Sequence, residues 1–258
     1  MKIGLIGNGA IANYVCKTLD QQSHSIDAIL VRAERVTENP KLYVGSVANL
    51  PDDLDLVVDC AGHSALIAHG PAVLRRGFDL VTVSLGALAD VDTQDALQAA
   101  ATEGRAKLHL ASGAIGALDC LQAAAIGRLD AVTYVGRKPP AGWQGSPAAD
   151  KIDLDALTVG AQVHFEGTAR AAAIAYPKNA NVAAAVAIAG IGFDATQVRL
   201  IADAGVSSNI HEITGKGEFG SFAFQIAGTA LPDNPRSSAL AAMSVLSKIN
   251  SLANSVTL

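Results

Sequence analysis

The amino-terminal part of the chain alternates short apolar runs with longer segments in which apolar residues recur at helical spacing. The short runs predict β-strands at residues 2–6, 28–31, 56–59, 80–82 and 107–110. The longer segments predict helices at residues 11–20, 64–76 and 93–103. Strands separated by helices of this length are typical of a parallel sheet with helices on its faces. The run Asp55-Leu56-Val57-Val58-Asp59 supports this prediction, because strands buried on both faces of such a sheet are continuously apolar.

A different pattern begins near residue 112. Alternating apolar and polar positions predict strands at residues 131–137, 162–168, 197–202, 210–214 and 221–227, with helices at 117–127 and 181–189. Successive strands with few helices between them predict an α+β domain with a mixed or antiparallel sheet over residues 112–233. A last helix is predicted at residues 237–253. We expect residues 234–258 to pack back on the first domain, which covers residues 1–111.

A glycine-rich turn joins the first predicted strand to the first predicted helix. Its sequence, Gly7-Asn8-Gly9-Ala10-Ile11-Ala12, has the spacing G-x-G-x-x-A. Gly7 permits a tight turn, Gly9 lets a pyrophosphate approach the backbone, and Ala12 permits close packing of helix on strand. Ala10 and Ile11 open the helix, whose N-terminus favours an anion. A plain glycine turn is the alternative, but the strand–turn–helix context favours a doubly wound, Rossmann-type dinucleotide-binding domain.

The second predicted strand lacks the acidic residue that favours NAD over NADP. An Asp or Glu at that point binds the ribose 2′-hydroxyl, whereas this strand ends in Val31-Arg32, with Arg35 close behind. A guanidinium binds a 2′-phosphate well, so we predict that Arg32 is a cofactor contact and that NAD or NADP is accepted. The alternative is that both arginines are solvated loop charges. Cys60 and Ala61 follow a later strand and are expected beside the cofactor, because ligands of such sheets bind at the carboxyl ends of strands.

Composition and charge argue against several other classes of protein. Half of the 258 residues are apolar and 17% are charged, which excludes a disordered chain. A net charge of −5 without a block of Lys and Arg argues against nucleic acid or an anionic membrane as partner. The three cysteines lack C-x-x-C spacing, so neither a disulfide framework nor a metal site is expected. No uncharged stretch is long enough to span a membrane, and the first strand begins at Lys2, so we predict a cytoplasmic protein.

Three segments of the second domain carry candidate chemistry. They are residues 111–119, residues 176–185, in which Asn181 is a predicted N-cap, and residues 208–213, which contain His211. A hydride-transfer enzyme needs an acid or base beside its substrate, and His211 is the best candidate because histidine titrates near neutral pH. His63, at the end of a cofactor-side strand, is the second candidate. The other four histidines are interpreted as surface or packing residues: His24, His69, His109 and His164.

Together with the glycine turn, these segments resemble the L-aspartate dehydrogenases of nicotinamide-cofactor biosynthesis. The resemblance extends over residues 7–12, 112–119, 137–140, 176–185 and 209–212. It implies that His211 is the catalytic histidine and that Ala114 and Asn181 contact the cofactor, with Ala117 as the alternative to Ala114. It also implies that both NAD and NADP are used, in agreement with the missing acidic residue at the end of the second strand.

The reaction implied by the resemblance is the oxidation of L-aspartate to iminosuccinate, with reduction of NAD or NADP. The imine then hydrolyses to oxaloacetate and ammonia, or feeds quinolinate synthesis. His211 accepts the amine proton in one version and activates the water that attacks the imine in the other, and the sequence leaves both roles open.

A dicarboxylate substrate requires cations or amide donors. Three residues of the second domain are assigned as substrate contacts: Lys178, Asn179 and Asn209. Further cations in the same domain are Arg137, Lys138 and Arg170, and the sequence does not show which of them converge. The pair Arg137-Lys138 is interpreted as a solvated strand end.

Two alternative functions stay open. One is another NAD(P)-dependent amino-acid or imine reductase of similar architecture, although the paired histidines and nearby lysine of dihydrodipicolinate reductases are absent from this sequence. The other is a protein that binds NAD(P) without catalysis, which would leave His211 unexplained. By analogy with this architecture we expect a homo-oligomer, either a dimer or a tetramer.

Overall fold

The structure is a computed structural model that describes residues 1–19, 24–232 and 234–256, without the side chains of Lys178, Pro235 and Arg236. The chain divides into two compact units. The first contains Met1–Gly113 and Ala241–Leu258, and the second contains Ala114–Leu240. The first boundary lies two residues after the predicted limit of 111/112, and the second lies seven residues after the predicted limit of 233/234.

The first unit contains a six-stranded sheet of order β3-β2-β1-β4-β5-β6, in which every neighbouring pair is parallel. Its strands are β1 (Lys2–Ile6), β2 (Ser25–Leu30), β3 (Tyr43–Val44), β4 (Leu56–Asp59), β5 (Leu80–Thr82) and β6 (Leu108–Leu110). Its first three helices are α1 (Ala10–Leu19), α2 (His63–Arg75) and α3 (Val91–Gly104). The predicted doubly wound parallel sheet is confirmed. The two-residue strand β3 was not predicted, because so short a run carries no periodicity.

The second unit contains a five-stranded sheet of order β11-β10-β7-β9-β8. Its strands are β7 (Leu129–Lys138), β8 (Ala161–Thr168), β9 (Gln197–Asp203), β10 (Asn209–Gly217) and β11 (Gly220–Gly228). The pair β7–β9 is parallel and the other three pairs are antiparallel, so the predicted mixed sheet is confirmed. The helices are α4 (Leu118–Ala124), α5 (Ala169–Ala175) and α6 (Asn181–Ala189), and a small ribbon pairs β12 (Ala230–Leu231) with β13 (Asn234–Ser238).

The last helix, α7 (Ala239–Ala253), contributes to the core of the first unit. Its residues Val245, Leu246 and Ile249 are buried in the same cluster as Ile3 and Leu5 of β1. The backbone N–H of Gly113 donates to the Ser244 hydroxyl at 3.0 Å, a second tie within this unit. The helix begins two residues later than predicted, because Ser237 and Ser238 belong to β13.

The helix predicted at residues 181–189 is confirmed with the same bounds, but two predicted details at helix N-termini in the second unit are wrong. Asn181 is not an N-cap: it is the first residue of α6, because Ala180 already has near-helical dihedral angles of −85° and −17°. A 3-10 turn at Pro177–Asn179 leads into this helix. The helix predicted from residue 117 begins at Leu118, since Ala117 is left-handed with φ of 58°. No helix in the described part of the chain is long and apolar enough to cross a membrane.

Candidate active site

The glycine turn after β1 is packed on one side and open on the other. Gly7 has φ of +87°, and a Cβ atom there would lie 2.6 Å from the Ala61 Cβ, so a side chain is excluded on both grounds. At Gly9, a Cβ atom would meet no described heavy atom within 4 Å. The turn ends at Ala10, the first residue of α1, and Ala12, two residues further on, is buried. This open cradle at a helix N-terminus fits the pyrophosphate of a dinucleotide.

A cleft of about 550 Å³ extends from this turn to the residues after β2. Arg35 on its wall is engaged within the protein, since its guanidinium donates to Glu38 at 2.7 Å and to Asn8 at 2.5 Å. Arg32 is 80% exposed, and its Nε atom lies 3.7 Å from Glu34. Of the two arginines, Arg32 therefore has the guanidinium more available to a ligand.

Asp59, the last residue of β4, is a buried carboxylate that the sequence analysis did not single out. It accepts hydrogen bonds from the Ala61 N–H at 2.9 Å, the Thr82 hydroxyl at 2.8 Å and the Ser84 hydroxyl at 2.6 Å. Burial raises the pKa of this carboxyl, although these hydrogen bonds oppose the shift. Asp59 thus ties together the carboxyl ends of β4 and β5, at the position where Ala61 packs on Gly7.

The two residues after β4 have different surroundings. Ala61 lines the cleft, whereas Cys60 packs against the core of the first unit. Burial raises the pKa of the Cys60 thiol well above its usual value, and the nearby Asp59 carboxylate acts in the same direction. The thiol is therefore protonated near neutral pH and is not a reactive nucleophile.

In the second unit, His211 lies on β10 and is only 6% exposed. Its Nδ1 atom is 2.8 Å from the Tyr134 hydroxyl, and the two rings are nearly parallel, with centroids 6.0 Å apart. Gly136 is the residue of β7 that pairs with His211. A Cβ atom at position 136 would lie 2.7 Å from the Tyr134 hydroxyl, so this glycine makes room for the contact between the phenol and the imidazole.

The expectation that His211 titrates near neutral pH is wrong for this structure. Burial lowers its pKa to about 4, and the positive charge of Lys138 acts in the same direction. His211 is therefore a neutral imidazole at pH 7, with one nitrogen able to accept a proton. Burial also raises the pKa of Tyr134, which stays a neutral phenol.

The pair Arg137-Lys138 is not a solvated strand end, which corrects the sequence-based interpretation. Arg137 donates to Asp203 at 2.8 Å. Lys138 is half-buried, its ammonium donates to the side-chain oxygen of Asn179, and its Nζ atom lies 4.8 Å from the centre of the Trp143 ring. Burial lowers the pKa of Lys138 to about 8. The sequence could not reveal this, because both neighbours that cover Lys138 come from other elements of the unit.

A pocket of about 370 Å³ opens beside His211. Most of its polar lining consists of hydroxyl groups and one amide: Ser207, Ser208, Asn209, Thr229, Ser237 and Ser238. The Ser238 hydroxyl oxygen is buried and has no hydrogen-bond partner among the described residues. Such a pocket can hold a small polar molecule against the imidazole.

The predicted substrate contacts, and two of the predicted cofactor contacts, belong to the second unit. Asn179 accepts a hydrogen bond from Lys138. Asn209 and Lys138 are both near Gly142, since a Cβ atom at Gly142 would be 3.3 Å from the Lys138 Cβ and 3.9 Å from the Asn209 side-chain oxygen. The side chain of Lys178 lies outside the described residues. Ala114 belongs to the second unit, as does Asn181, and their assignment as cofactor contacts stays a prediction.

Of the remaining candidates, Arg170 and His164 form contacts with other residues of the second unit. Arg170 forms a bidentate pair with Asp194, at 2.7 and 2.8 Å. His164 is buried against Trp143 and contacts the Tyr176 hydroxyl at 3.0 Å, so it is a packing residue. His63 is the first residue of α2. Within the described ranges, no group of three or more His, Cys, Asp or Glu side chains could hold a metal ion.

A parallel sheet with a dinucleotide-type glycine turn, and a second sheet with a neutral histidine beside a polar pocket, define the class of nicotinamide-dependent oxidoreductases. Residues 7–111 match the family described as homoserine dehydrogenase, NAD binding domain. Residues 119–252 match the family described as aspartate dehydrogenase, C-terminal. The chain belongs to the aspartate dehydrogenase family, which confirms the resemblance found in the sequence.

Individual relatives align with nearly the whole chain. An L-aspartate dehydrogenase of Ruegeria pomeroyi is 53% identical, with 96% of this chain and 91% of the relative covered. An L-aspartate dehydrogenase of Ralstonia nicotianae is 42% identical, with 100% of both chains covered. The crystal structure of an aspartate dehydrogenase from Thermotoga maritima superposes with a TM-score of 0.78 at 24% identity, covering 100% of this chain and 99% of that one. This last similarity concerns the fold.

Proposed function

We propose that this protein oxidises L-aspartate to iminosuccinate with NAD or NADP as hydride acceptor, the imine being hydrolysed to oxaloacetate and ammonia or passed to quinolinate synthesis. The observation that carries the proposal is His211, a buried imidazole that is neutral at pH 7 and lines a polar pocket. The named relatives that cover nearly the whole chain support the choice of L-aspartate among possible amino acids.

The protein's share of the chemistry is to hold the substrate and to move one proton. NAD or NADP, when bound, supplies the carbon that accepts the hydride from the substrate Cα. As the C=N bond forms, the amine nitrogen gives up a proton, and a neutral imidazole accepts it. We assign Nδ1–H of His211 as donor to the Tyr134 oxygen, because this tautomer leaves the lone pair of Nε2 free for the substrate. Tyr134 is then a positioning residue.

The cofactor is assigned to the first unit. The open position at Gly9 takes the pyrophosphate, with the backbone of Gly7, Ala10 and Ile11 around it and Ala12 packing the helix against the sheet. Cys60 and Ala61 come directly after β4, the neighbour of β1 in the sheet, and Arg32 binds the 2′-phosphate when NADP is the cofactor. The family resemblance adds two further proposed contacts, Ala114 and Asn181, which belong to the second unit.

A spectrophotometric assay tests the reaction. The purified protein is mixed with NAD or NADP and a panel of amino acids, and the absorbance of the reduced nicotinamide is followed. We expect turnover with L-aspartate and little with L-alanine or L-glutamate. Nucleotide binding without turnover of any amino acid would favour the non-catalytic alternative, and turnover of a different amino acid would favour another reductase.

The variant His211→Ala tests the proton-transfer role. We expect kcat to fall by about 10²–10⁴, the usual contribution of a positioned acid or base. The Kd for NAD, measured by calorimetry, should stay within about twofold, because the glycine turn belongs to the other unit. Near-normal turnover would remove His211 from the mechanism and make His63 the residue to test.

We also propose that the protein forms a homo-oligomer, a dimer or a tetramer, and that it works in the cytoplasm. In the second unit, β11 is an edge strand of nine residues, and edge strands are available for pairing with another chain. Light scattering coupled to size-exclusion chromatography measures the subunit number, and a monomer at micromolar concentration would contradict the first part. Fractionation of the source cells tests the second.

A further inference from the structure

Lys138 is a half-buried cation that no carboxylate neutralises among the described residues. Its ammonium donates to the side-chain oxygen of Asn179 and lies over the face of the Trp143 ring. Neither neighbour carries a charge. Other basic residues of the same unit are paired: Arg137 with Asp203 and Arg170 with Asp194. Because buried cations are normally paired with an anion, the arrangement around Lys138 is incomplete in the protein alone.

The position of Lys138 relates it to His211. In β7, Tyr134, Gly136 and Lys138 point to one face of the sheet, because alternate residues of a strand share a face. His211 is on the neighbouring strand β10, where it is the pairing partner of Gly136. Its Nδ1 atom contacts Tyr134 on that same face. Lys138 therefore shares a face of the sheet with His211, and its positive charge contributes to the low pKa of the imidazole.

We propose that Lys138 binds a carboxylate of the substrate and holds it beside His211. This inference rests on the proposed function, since L-aspartate carries two carboxylates. A charge-assisted hydrogen bond in a partly desolvated site is stronger than one in water, and the substrate supplies the anion that the protein lacks. Asn179, which accepts from the lysine, and Asn209, which is near Gly142 as Lys138 is, each have an amide group that can donate to a carboxylate.

Trp143 provides a direct optical readout of this site. It is the only tryptophan in the chain, its indole N–H donates to the Ile201 carbonyl at 3.0 Å, and Lys138 lies over its ring. A carboxylate that binds to Lys138 changes the charge over the indole, so the fluorescence should change with substrate concentration even without nucleotide. The signal reports binding independently of turnover.

The test compares three variants. Lys138→Met keeps an unbranched apolar side chain over Trp143 but removes the charge, and Lys138→Arg restores a cation. Lys216→Met is the matched control, because Lys216 is an exposed lysine at the other end of the strand that bears His211. We expect Lys138→Met to raise the KM for L-aspartate about 10–100-fold, with a smaller change in kcat, and to move the fluorescence titration to correspondingly higher concentration. Lys138→Arg should recover part of the loss, and Lys216→Met should behave as the wild type.

A purely structural role for Lys138 predicts a different result. It would lower the melting temperature of Lys138→Met, whereas a ligand-binding cation held at a desolvation cost leaves the melting temperature unchanged or higher. An unchanged KM and an unchanged fluorescence titration in Lys138→Met would overturn the proposal while leaving aspartate oxidation intact. If the wild type fails to oxidise L-aspartate but a Trp143 response to this dicarboxylate is lost in Lys138→Met, the proposed function fails and the carboxylate site stands.

Discussion

The contact between Tyr134 and His211 can be tested by a double-mutant cycle with Gly136. Tyr134→Phe removes the hydroxyl that lies 2.8 Å from Nδ1 and leaves a buried imidazole nitrogen without this partner. The loss of a partner for a buried polar group costs about 1–3 kcal/mol of unfolding free energy. Because the ring is then free to turn, we expect kcat to fall about 10-fold or more, with little change in KM.

Gly136→Ala perturbs the same contact by crowding the Tyr134 hydroxyl. Its Cβ atom would lie 2.7 Å from the Tyr134 hydroxyl and 3.1 Å from a methyl group of Leu200, so the phenol must move away from His211. Overpacking of this kind costs about 1–3 kcal/mol. In Tyr134→Phe the 2.7 Å contact is gone, so the alanine should be tolerated better there. The double variant should therefore be more stable than the sum of the single variants predicts, by about 1 kcal/mol.

The cycle is measured by urea unfolding and by steady-state kinetics on all four proteins. Tyr176→Phe is a matched control, because it removes a hydroxyl from a second buried Tyr–His pair of the same unit, at His164. It should lower stability without changing kcat by more than about twofold. Additivity of the Tyr134 and Gly136 effects within about 0.5 kcal/mol would refute the packing argument. An unchanged kcat in Tyr134→Phe would refute the positioning role.

Three further predictions concern the cofactor and the effect of acid. Arg32→Ala should weaken NADP more than NAD, by about 1–3 kcal/mol in calorimetric titrations, and an equal loss for both would show that Arg32 does not touch the 2′-phosphate. Gly9→Val should abolish binding of both nucleotides while leaving the melting temperature nearly unchanged, because the new side chain meets no protein atom within 4 Å at its Cβ; retained affinity would place the pyrophosphate elsewhere. Burial lowers the pKa of both His211 and His164 to about 4, so the unfolded chain takes up protons first as the pH falls. Stability present above about pH 6.5 should therefore be lost toward pH 4, by roughly 3 kcal/mol per histidine. His164→Asn should reduce this loss in urea midpoints measured against pH, and an identical pH dependence would contradict the assignment.

The fold was predictable from the sequence where local signals are strong. The continuously apolar run of β4 and the glycine turn after β1 each predict the local structure from a few consecutive residues. Helix α5 was missed although a signal was present: Thr168 caps it by accepting from the Ala171 N–H at 3.2 Å, and the helix is rich in alanine. The sequence analysis assigned no element to residues 169–175, which follow directly on β8 without a turn.

The candidate site was predictable in part, since His211 stands out by residue type and by family resemblance. Its low pKa was not, because a sequence does not show burial or the charge of Lys138. The environment of Lys138 depends on Trp143 and Asn179, which reach it only through tertiary packing. Asp59 was overlooked for the same reason, since its partners Thr82 and Ser84 are on another strand.

Because α7 belongs to the core of the first unit, that unit cannot complete its folding until the end of the chain has been translated. Strands β1 to β6 are synthesised first, yet the core they form includes Val245, Leu246 and Ile249. Contacts between residues so far apart in sequence form late, so part of the apolar surface of the nascent sheet stays uncovered until α7 emerges from the exit tunnel. The continuous segment Ala114–Leu240 can fold during that interval. Chaperones that bind exposed apolar surface therefore have their longest opportunity at the nucleotide-binding unit, although it is the first to be translated.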